Sequence, residues 1–378
     1  MYYRISTLSA VSFLLWTTII YGQYTSHRVA ISQVTDNLYN DQPPVAASRF
    51  MAWRTDEQGD YNISVHDFER DSTYCIANSN TNDVGLAIND HYLVWNAQSD
   101  TNGEIMLYDL LAQTTYNLSN NLSDDLYPAL DNHYIVWQRN NFYSSDIILY
   151  DLQTQKTHTL SNENYNMMPQ IADNFVVWKM KEDLDSEVEQ ILMYDIKRHA
   201  TTSLVSSKHI SNLCIKGDYV AWAANQSIYD TDNEIFLYDI ARKTTLQVTH
   251  NLQEDNCFAL LPPYLAFTHN DGNDDEIYLY QIDGNSSPQA ITDNDTNDIF
   301  PVLNNRFVAW CGATESGIEI FLCPIDTGRT QQITCSGGFQ THATLNEEYL
   351  MWCSFDFDGF DTDIFKTNLP IQATAAQK

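Results

Sequence analysis

The sequence predicts an all-β protein, a β-propeller of eight four-stranded blades whose ring is closed by the N-terminal strand. Three observations lead to this prediction. A single aromatic position recurs roughly every 42 residues along the chain, a strand signature containing Ile follows each copy, and a third strand-like run ends each repeat. The composition agrees, because 23 Tyr, 16 Phe and 8 Trp are residues that favour the pleated, half-buried surface of a sheet.

The recurring aromatic position, called the anchor below, is Trp in seven copies and Phe in one. The anchors are Trp53, Trp95, Trp137, Trp178, Trp222, Phe267, Trp310 and Trp352. An aromatic residue also lies three positions before every anchor, from Phe50 in the first copy to Tyr349 in the last. Eight aligned aromatic pairs indicate a true internal repeat, and we assign them a structural role in packing.

The second signature begins ten to 13 residues after each anchor and contains an Ile in all eight copies, as in "EIMLYD" and "DIILYD". A further run ends in an aliphatic residue and then Ser or Thr, for example at Leu118-Ser119 and Ile333-Thr334. With a lead-in strand before each anchor, every repeat has four short strands, the size of a propeller blade. Stacking of blades around an axis buries both faces of each small sheet, with Trp and Tyr between them.

Closure of the ring depends on the two chain ends. The last Ile strand, "DIFKTN", is followed only by "LPIQATAAQK", which has no fourth-strand pattern. The segment "RVAISQVTD" near the N-terminus has that pattern and precedes the first anchor. We therefore expect residues 28–36 to form the outer strand of the last blade beside residues 361–368, which removes an open sheet edge. Seven blades, the commoner number, is the alternative.

The repeat resembles a known family. Its pattern, as in "PALDN", "YIVWQ", "DIILYDL" and "KTHTLS", is similar to the TolB-like propeller repeat of periplasmic and cell-surface proteins, and the resemblance covers residues 28–368. TolB itself has an additional α/β domain, for which this chain has no room. Related propellers precede the hydrolase domain of prolyl oligopeptidase-like peptidases, yet little follows residue 368 here and no GxSxG nucleophile motif occurs. The resemblance implies the fold more strongly than a function.

The chain divides into a signal peptide at residues 1–23, a single propeller domain at 28–368 and a tail at 369–378. Arg4 precedes an apolar run from Leu8 to Tyr21, which has the length of a signal-peptide core. Cleavage near Gly22 or Gln23 predicts a periplasmic or secreted protein without a membrane span, and an uncleaved anchor is the alternative.

The formal net charge of −31, from 50 acidic and 19 basic residues, argues against nucleic acid as a partner. It favours cations, basic protein segments or neutral glycans, and alternatively it only maintains solubility. No catalytic cluster is evident in the sequence. We therefore expect a monomeric, non-catalytic scaffold that binds a protein with a basic or flexible segment, or a glycan. The alternative is a carbohydrate-active enzyme similar to the propeller polysaccharide lyases.

Acidic loops between the second and third strands, with those between blades, should share one face of the propeller. We expect ligand contacts from its carboxylates: Asp230, Asp232, Asp271, Asp274, Asp275, Glu276, Asp356 and Asp358. No cofactor other than calcium is indicated. Oxygen-rich turns suit calcium, with the candidate ligands Asp271, Asn273, Asp275, Asp356 and Asp358. The alternative, which we favour here, is that these residues only form turns.

The seven cysteines are an odd number for an exported protein, and four of them lie in the last quarter of the chain. One or two disulfides near the C-terminal end are one interpretation. The other is that several cysteines are small apolar residues of the core.

Overall fold

The computed structural model describes residues 30–57, 60–77, 82–99, 102–161, 163–225, 232–282, 287–356 and 361–370. Strands and turns make up this part of the chain, and no helix occurs within it. The predicted all-β class is therefore confirmed. The predicted signal peptide and most of the C-terminal tail lie outside the described residues.

Strand β1 (Ile31–Gln33) precedes the first repeat. The strands of repeat units 1 to 4 are, in order, β2 (Asn40–Asp41), β3 (Val45–Ala46), β4 (Phe50–Glu57), β5 (Asp60–Asp67) and β6 (Ser72–Ala77); β7 (Asn82–Ile88), β8 (Tyr92–Gln98), β9 (Gly103–Asp109) and β10 (Thr114–Asn117); β11 (Asp124–Asp131), β12 (Tyr134–Asn140), β13 (Ser145–Asp151) and β14 (Lys156–Thr159); and β15 (Tyr165–Ala172), β16 (Phe175–Lys181), β17 (Glu189–Asp195) and β18 (Ala200–Ser207).

The strands of units 5 to 8 are β19 (Ile210–Lys216), β20 (Tyr219–Ala224), β21 (Glu234–Asp239) and β22 (Thr244–Gln247); β23 (Asp255–Leu261), β24 (Tyr264–Asn270), β25 (Asp275–Gln281) and β26 (Gln289–Ala290); β27 (Asp298–Leu303), β28 (Phe307–Thr314), β29 (Gly317–Pro324) and β30 (Gln331–Gln332); and β31 (Phe339–Leu345), β32 (Tyr349–Asp356) and β33 (Asp361–Asn368).

Within each unit, consecutive strands pair in antiparallel fashion, as β11 to β14 do in unit 3. The first strand of unit 1 is divided into β2 and β3, which both pair with β4. Parallel contacts also join β13 to β15 and β29 to β31, so the hydrogen-bonded sheets extend across unit boundaries. Sheet topology therefore does not count blades by itself, and the number eight, rather than seven, stays a prediction.

The first strands of successive units surround a common axis. β7, β11, β15, β19, β23, β27 and β31 each lie beside the first strand of the next unit, and β31 of unit 8 lies beside β3 of unit 1. This cyclic order of inner strands is the arrangement of a propeller.

The N-terminal strand pairs with the last unit as the strand count predicts. β1 runs antiparallel to β33, with Ile31 opposite Thr367 and Gln33 opposite Phe365. The amide of Val34 donates to the Ile364 carbonyl at 2.7 Å. Of the predicted residues 28–36, the first two lie outside the described residues, and the regular strand ends at Gln33.

Packing between neighbouring units forms the core. Trp137 of unit 3 is fully buried against Val94, Ile105 and Leu107 of unit 2. A corresponding cluster joins Met51 and Trp53 of unit 1 to Met351 and Ile364 of unit 8. The anchors are therefore packing residues between units, as the repeat predicts.

All seven cysteines are free in the structure. Cys311, Cys323 and Cys353 are buried, which agrees with the interpretation of core residues rather than disulfides. In the part of the chain that the structure describes, no helical segment has the length and hydropathy to cross a bilayer.

Candidate functional site

The loop between β24 and β25, which contains the best predicted calcium ligands, is a closed turn. Asp271 is exposed, and its Oδ1 atom accepts hydrogen bonds from the amides of Asn273 at 2.7 Å and Asp274 at 3.2 Å. These bonds hold the pKa of Asp271 below its usual value. The Oδ1 atom of Asp275 accepts from Asn270 Nδ2 at 2.9 Å. Asp271, Asn273 and Asp275 thus have the contacts of turn formers.

The other predicted rim residues differ in their placement. Asp274 and Glu276 are buried, and Asp232 is half-buried. Asp230, Asp358 and the side chain of Asp356 lie outside the described residues. Among the described residues, no three side chains of His, Cys, Asp or Glu converge as a metal site would require.

A repeated buried network accounts for many of the acidic residues. Twelve positions before the anchor, a carboxylate accepts a hydrogen bond from the anchor indole, as between Trp137 Nε1 and Asp125 Oδ1 at 2.7 Å or Trp310 Nε1 and Asp298 Oδ1 at 2.7 Å. In unit 1, Asp41 Oδ1 accepts a hydrogen bond from Trp53 Nε1 at 3.1 Å. In unit 6 the anchor is a Phe, which has no such donor. Asp255 there pairs with His269 Nδ1 at 2.7 Å.

A second layer of this network starts from the acidic residue before the repeated Ile. In unit 7, Glu319 Oε2 accepts a hydrogen bond from the Thr334 hydroxyl, and Oε1 accepts from the Ser336 and Gly337 amides at 3.0 Å. In unit 6, Glu276 Oε1 accepts from the Asn294 amide at 2.5 Å. Burial raises the pKa of both Glu276 and Asp298. Several acidic residues, among them Glu276, Asp298 and Glu319, are therefore buried in hydrogen-bond networks and not displayed on a rim.

The most distinctive open surface lies on the inner strands. Ten positions before the anchor, the first strand of units 2 to 8 carries a bulge, and the backbone φ angle of that residue is positive, between 43° and 67°. The residues in this position, called the axial ring below, are Pro43, Gly85, Tyr127, Met168, Asn212, Cys257, Phe300 and His342. Four of the strained residues, Tyr127, Met168, Cys257 and Phe300, are of types that rarely adopt such angles. Strain of this kind concentrates at functional sites.

Most residues of the axial ring are exposed, and three of them have large side chains with apolar surface. Tyr127, Met168 and Phe300 are each about half exposed. The rings of Phe300 and His342, from neighbouring units, stack with centroids 6.3 Å apart, and burial lowers the pKa of His342. These side chains occupy one position of the inner strands that surround the axis. Aromatic rings and a flexible thioether there can contact an extended, chemically varied ligand.

Reasoning from the repeat missed the axial ring because its residues share no side-chain chemistry. One signal was available. A Pro follows the ring position in four units, at Pro44, Pro128, Pro169 and Pro301. Proline there removes a backbone donor from the strand, which is typical of a bulge.

The comparisons with known proteins concern the whole propeller. No protein-family model matches the chain, and no curated protein matches it. The solved structures similar to it include the β-propeller domain of the Trilobed protease from Pyrococcus furiosus, which has 10% identity and a TM-score of 0.54 over 87% of this chain and 93% of that one. A second is a prolyl endopeptidase, with 7% identity and a TM-score of 0.60. A third is Porphyromonas gingivalis dipeptidyl peptidase 4, with 10% identity and a TM-score of 0.61.

The alignments cover 86% and 91% of this chain but only 56% and 60% of the prolyl endopeptidase and dipeptidyl peptidase chains. At these identities the likeness shows the fold, a β-propeller, and the predicted propeller is confirmed.

The expectation of a non-catalytic scaffold with an acidic binding face, and the lyase alternative, were wrong. The structural neighbours are propellers of peptidases. Burial of Asp274 and Glu276 also removes two of the carboxylates predicted for that face.

Proposed function

We propose that this chain is a peptidase-associated propeller, which admits flexible polypeptide segments along its axis to a peptidase catalytic domain. The observation that carries the proposal is the similarity over most of this chain to the propellers of several different peptidases. The TolB-like character of the repeat is part of the same proposal, since related propellers precede the hydrolase domain of prolyl oligopeptidase-like peptidases.

The axial ring supports this proposal independently of the similarity. A peptide substrate is extended and varied in sequence, so a surface that contacts it must accept many side chains. The rings of Tyr127 and Phe300 and the thioether of Met168 provide polarizable, adaptable contacts without a fixed pattern of hydrogen bonds. The different chemistry of the eight ring residues makes the opening asymmetric, which favours one peptide register over another.

The first experiment tests the association with a peptidase. The tagged chain is purified from its source organism under native conditions and treated with a fluorophosphonate probe for serine hydrolases. We expect a labelled hydrolase in stoichiometric amount, and we expect it to cleave short peptides in preference to folded proteins only while the propeller is present. A preparation without a labelled hydrolase would contradict the proposal. So would a hydrolase that prefers short peptides equally in the presence and in the absence of the propeller.

The second experiment tests the axial ring. Anisotropy of labelled unstructured peptides measures their affinity for the purified chain. We expect Tyr127→Ala to weaken binding about tenfold, the loss of one aromatic contact. Tyr116→Ala is the matched control, because Tyr116 on β10 is 51% exposed and Tyr127 is 50% exposed. Equal effects of the two variants would argue against binding at the axis.

We also propose export to the periplasm or the extracellular space, supported by the apolar run from Leu8 to Tyr21. N-terminal sequencing of the mature protein tests it, with a start near Gln23 expected. An intact Met1 in the exported fraction would instead indicate the uncleaved anchor.

A further inference from the structure

Units 2 and 6 use the same local framework between their second and fourth strands. The amide of Ser99 donates to the Asn102 carbonyl at 3.0 Å, and the amide of Asp271 donates to the Asp274 carbonyl at 3.0 Å. The third strand then continues to Glu104 in unit 2 and to Glu276 in unit 6. Asn102 and Asp274 therefore occupy equivalent positions, three residues before the repeated Ile.

The loops that follow the fourth strands are equivalent as well. Glu104 Oε1 accepts a hydrogen bond from the Asn121 amide at 3.1 Å, and Glu276 Oε1 accepts from the Asn294 amide at 2.5 Å. Asn121 and Asn294 each donate through Nδ2 to the network carboxylate four residues later, at 2.5 Å and 2.7 Å. The two frameworks thus agree in backbone and in side-chain contacts.

The difference is the residue at their centre. In unit 2, the amide group Nδ2 of Asn102 donates to Glu104 Oε1 and to the Asn121 carbonyl at 2.8 Å, and to the Ser123 carbonyl at 3.3 Å. One positively polarised amide group therefore satisfies three oxygen acceptors. In unit 6, the equivalent residue is an aspartate, which has no proton donor when ionised.

Unit 6 consequently has a buried group of oxygens without a donor. Asp274 is 7% exposed, and neither of its carboxylate oxygens has a hydrogen-bond partner. The Oε2 atom of the buried Glu276 has no hydrogen bond of normal geometry either, and only the Thr292 and Asn273 side chains lie near enough to lower the pKa values of Glu276 and Asp274. Two buried carboxylates without a positively charged partner are costly, because each must lose its hydration. Burial raises the pKa of Asp274, and the negative charge of Asp271 raises it further.

We propose that unit 6 binds a divalent cation, of which calcium is the best match, between the carboxylates of Asp274 and Glu276. The cation takes the place of the Asn102 amide group in unit 2. The Asn294 and Thr296 carbonyls, equivalent to the two carbonyls that Asn102 contacts, supply neutral oxygen ligands. A flexible set of carboxylate and carbonyl oxygens suits calcium better than magnesium, which demands a near-octahedral arrangement. The site needs only two carboxylates and is distinct from the turn residues Asp271, Asn273 and Asp275.

The experiment exchanges the two central residues. After treatment with a chelator, the wild-type chain is titrated with calcium chloride by calorimetry and by thermal melting. We expect one calcium per chain and a rise in melting temperature of roughly 4 °C at saturation. Asp274→Asn restores the unit 2 contacts, so it should melt higher than wild type without calcium and show no calcium response.

Two further variants complete the test. Asn102→Asp should create a second site, lower the melting temperature without calcium and raise the stoichiometry to two. Asp271→Asn keeps the turn hydrogen bonds and should leave calcium binding intact. The proposal is overturned if wild type does not respond to calcium, as a proton shared by Asp274 and Glu276 would predict. It is also overturned if the response survives in Asp274→Asn or disappears in Asp271→Asn.

Discussion

Two positions on the same inner strand, two residues apart, behave in opposite ways. The position twelve residues before the anchor is buried and is acidic in five of the eight units, as at Asp125. The position ten residues before the anchor is mostly exposed and differs in chemistry from unit to unit, as at Tyr127 and Met168. The first position fixes the anchor indole of its own unit, as Asp125 does with Trp137. The second position has no such packing role, so its strained backbone and exposed side chain are available to contact a ligand.

The largest expected effect comes from breaking the first position. Asp125 accepts hydrogen bonds from the indole of Trp137 and from Arg139 Nε at 2.8 Å, and all its contacts are buried or half-buried. Asp125→Ala leaves a buried donor and a guanidinium without a partner, so the free energy of unfolding should fall by about 3 kcal/mol. Urea unfolding measures this. Tyr127→Ala, two residues along the same strand, should change it by less than about 1 kcal/mol. A similar decrease in the free energy of unfolding in both variants would contradict the difference proposed between the two positions.

A smaller effect concerns unit 6, where the network includes the imidazole of His269. The hydrogen bond to Asp255 raises the pKa of His269 above its ordinary value of 6.5. The charged pair therefore stabilises the fold fully below about pH 6.5, and this contribution is lost as the pH rises through the raised pKa. We expect a decrease in the free energy of unfolding of about 1–2 kcal/mol across that window.

Urea unfolding at a series of pH values checks this dependence on His269. His269→Gln can still donate to Asp255 but does not titrate, so its profile should be flat in the same window. His158→Gln is the control, since His158 is exposed on the outer strand β14 and should not alter the profile. A profile that keeps its slope in His269→Gln would place the titrating group elsewhere.

The sequence predicts the repeat, the buried anchors and the pairing of the N-terminal strand because each of these depends on the same chemistry in every copy. It does not predict where the acidic residues lie. Glu276 looks like a rim carboxylate in the sequence, yet it is buried, and its partner is the amide of Asn294, which no local pattern connects to it. The sequence does not reveal the axial ring either, because its residues differ in chemistry from unit to unit. Tyr127, Asn212 and His342 share a backbone conformation but no side-chain chemistry, so no common residue type marks this position in the sequence.

The smallest expected effect tests the strain of the ring position directly. Met168 has a φ of 53°, which a side chain disfavours, whereas unit 2 has Gly85 in the equivalent place with a φ of 67°. Because Met168 is 46% exposed, replacing it loses little packing, and Met168→Gly should raise the free energy of unfolding by up to about 1 kcal/mol. Its neighbour Met167 provides the matched control, since it is absent from the positive-φ positions and is half-buried. Met167→Gly should therefore lower stability, and Gly85→Ala should lower it by about 1 kcal/mol. If Met168→Gly destabilised the protein as much as Met167→Gly, the side chain of Met168 would stabilise the fold. The proposed difference between the two positions of the inner strand would then be wrong.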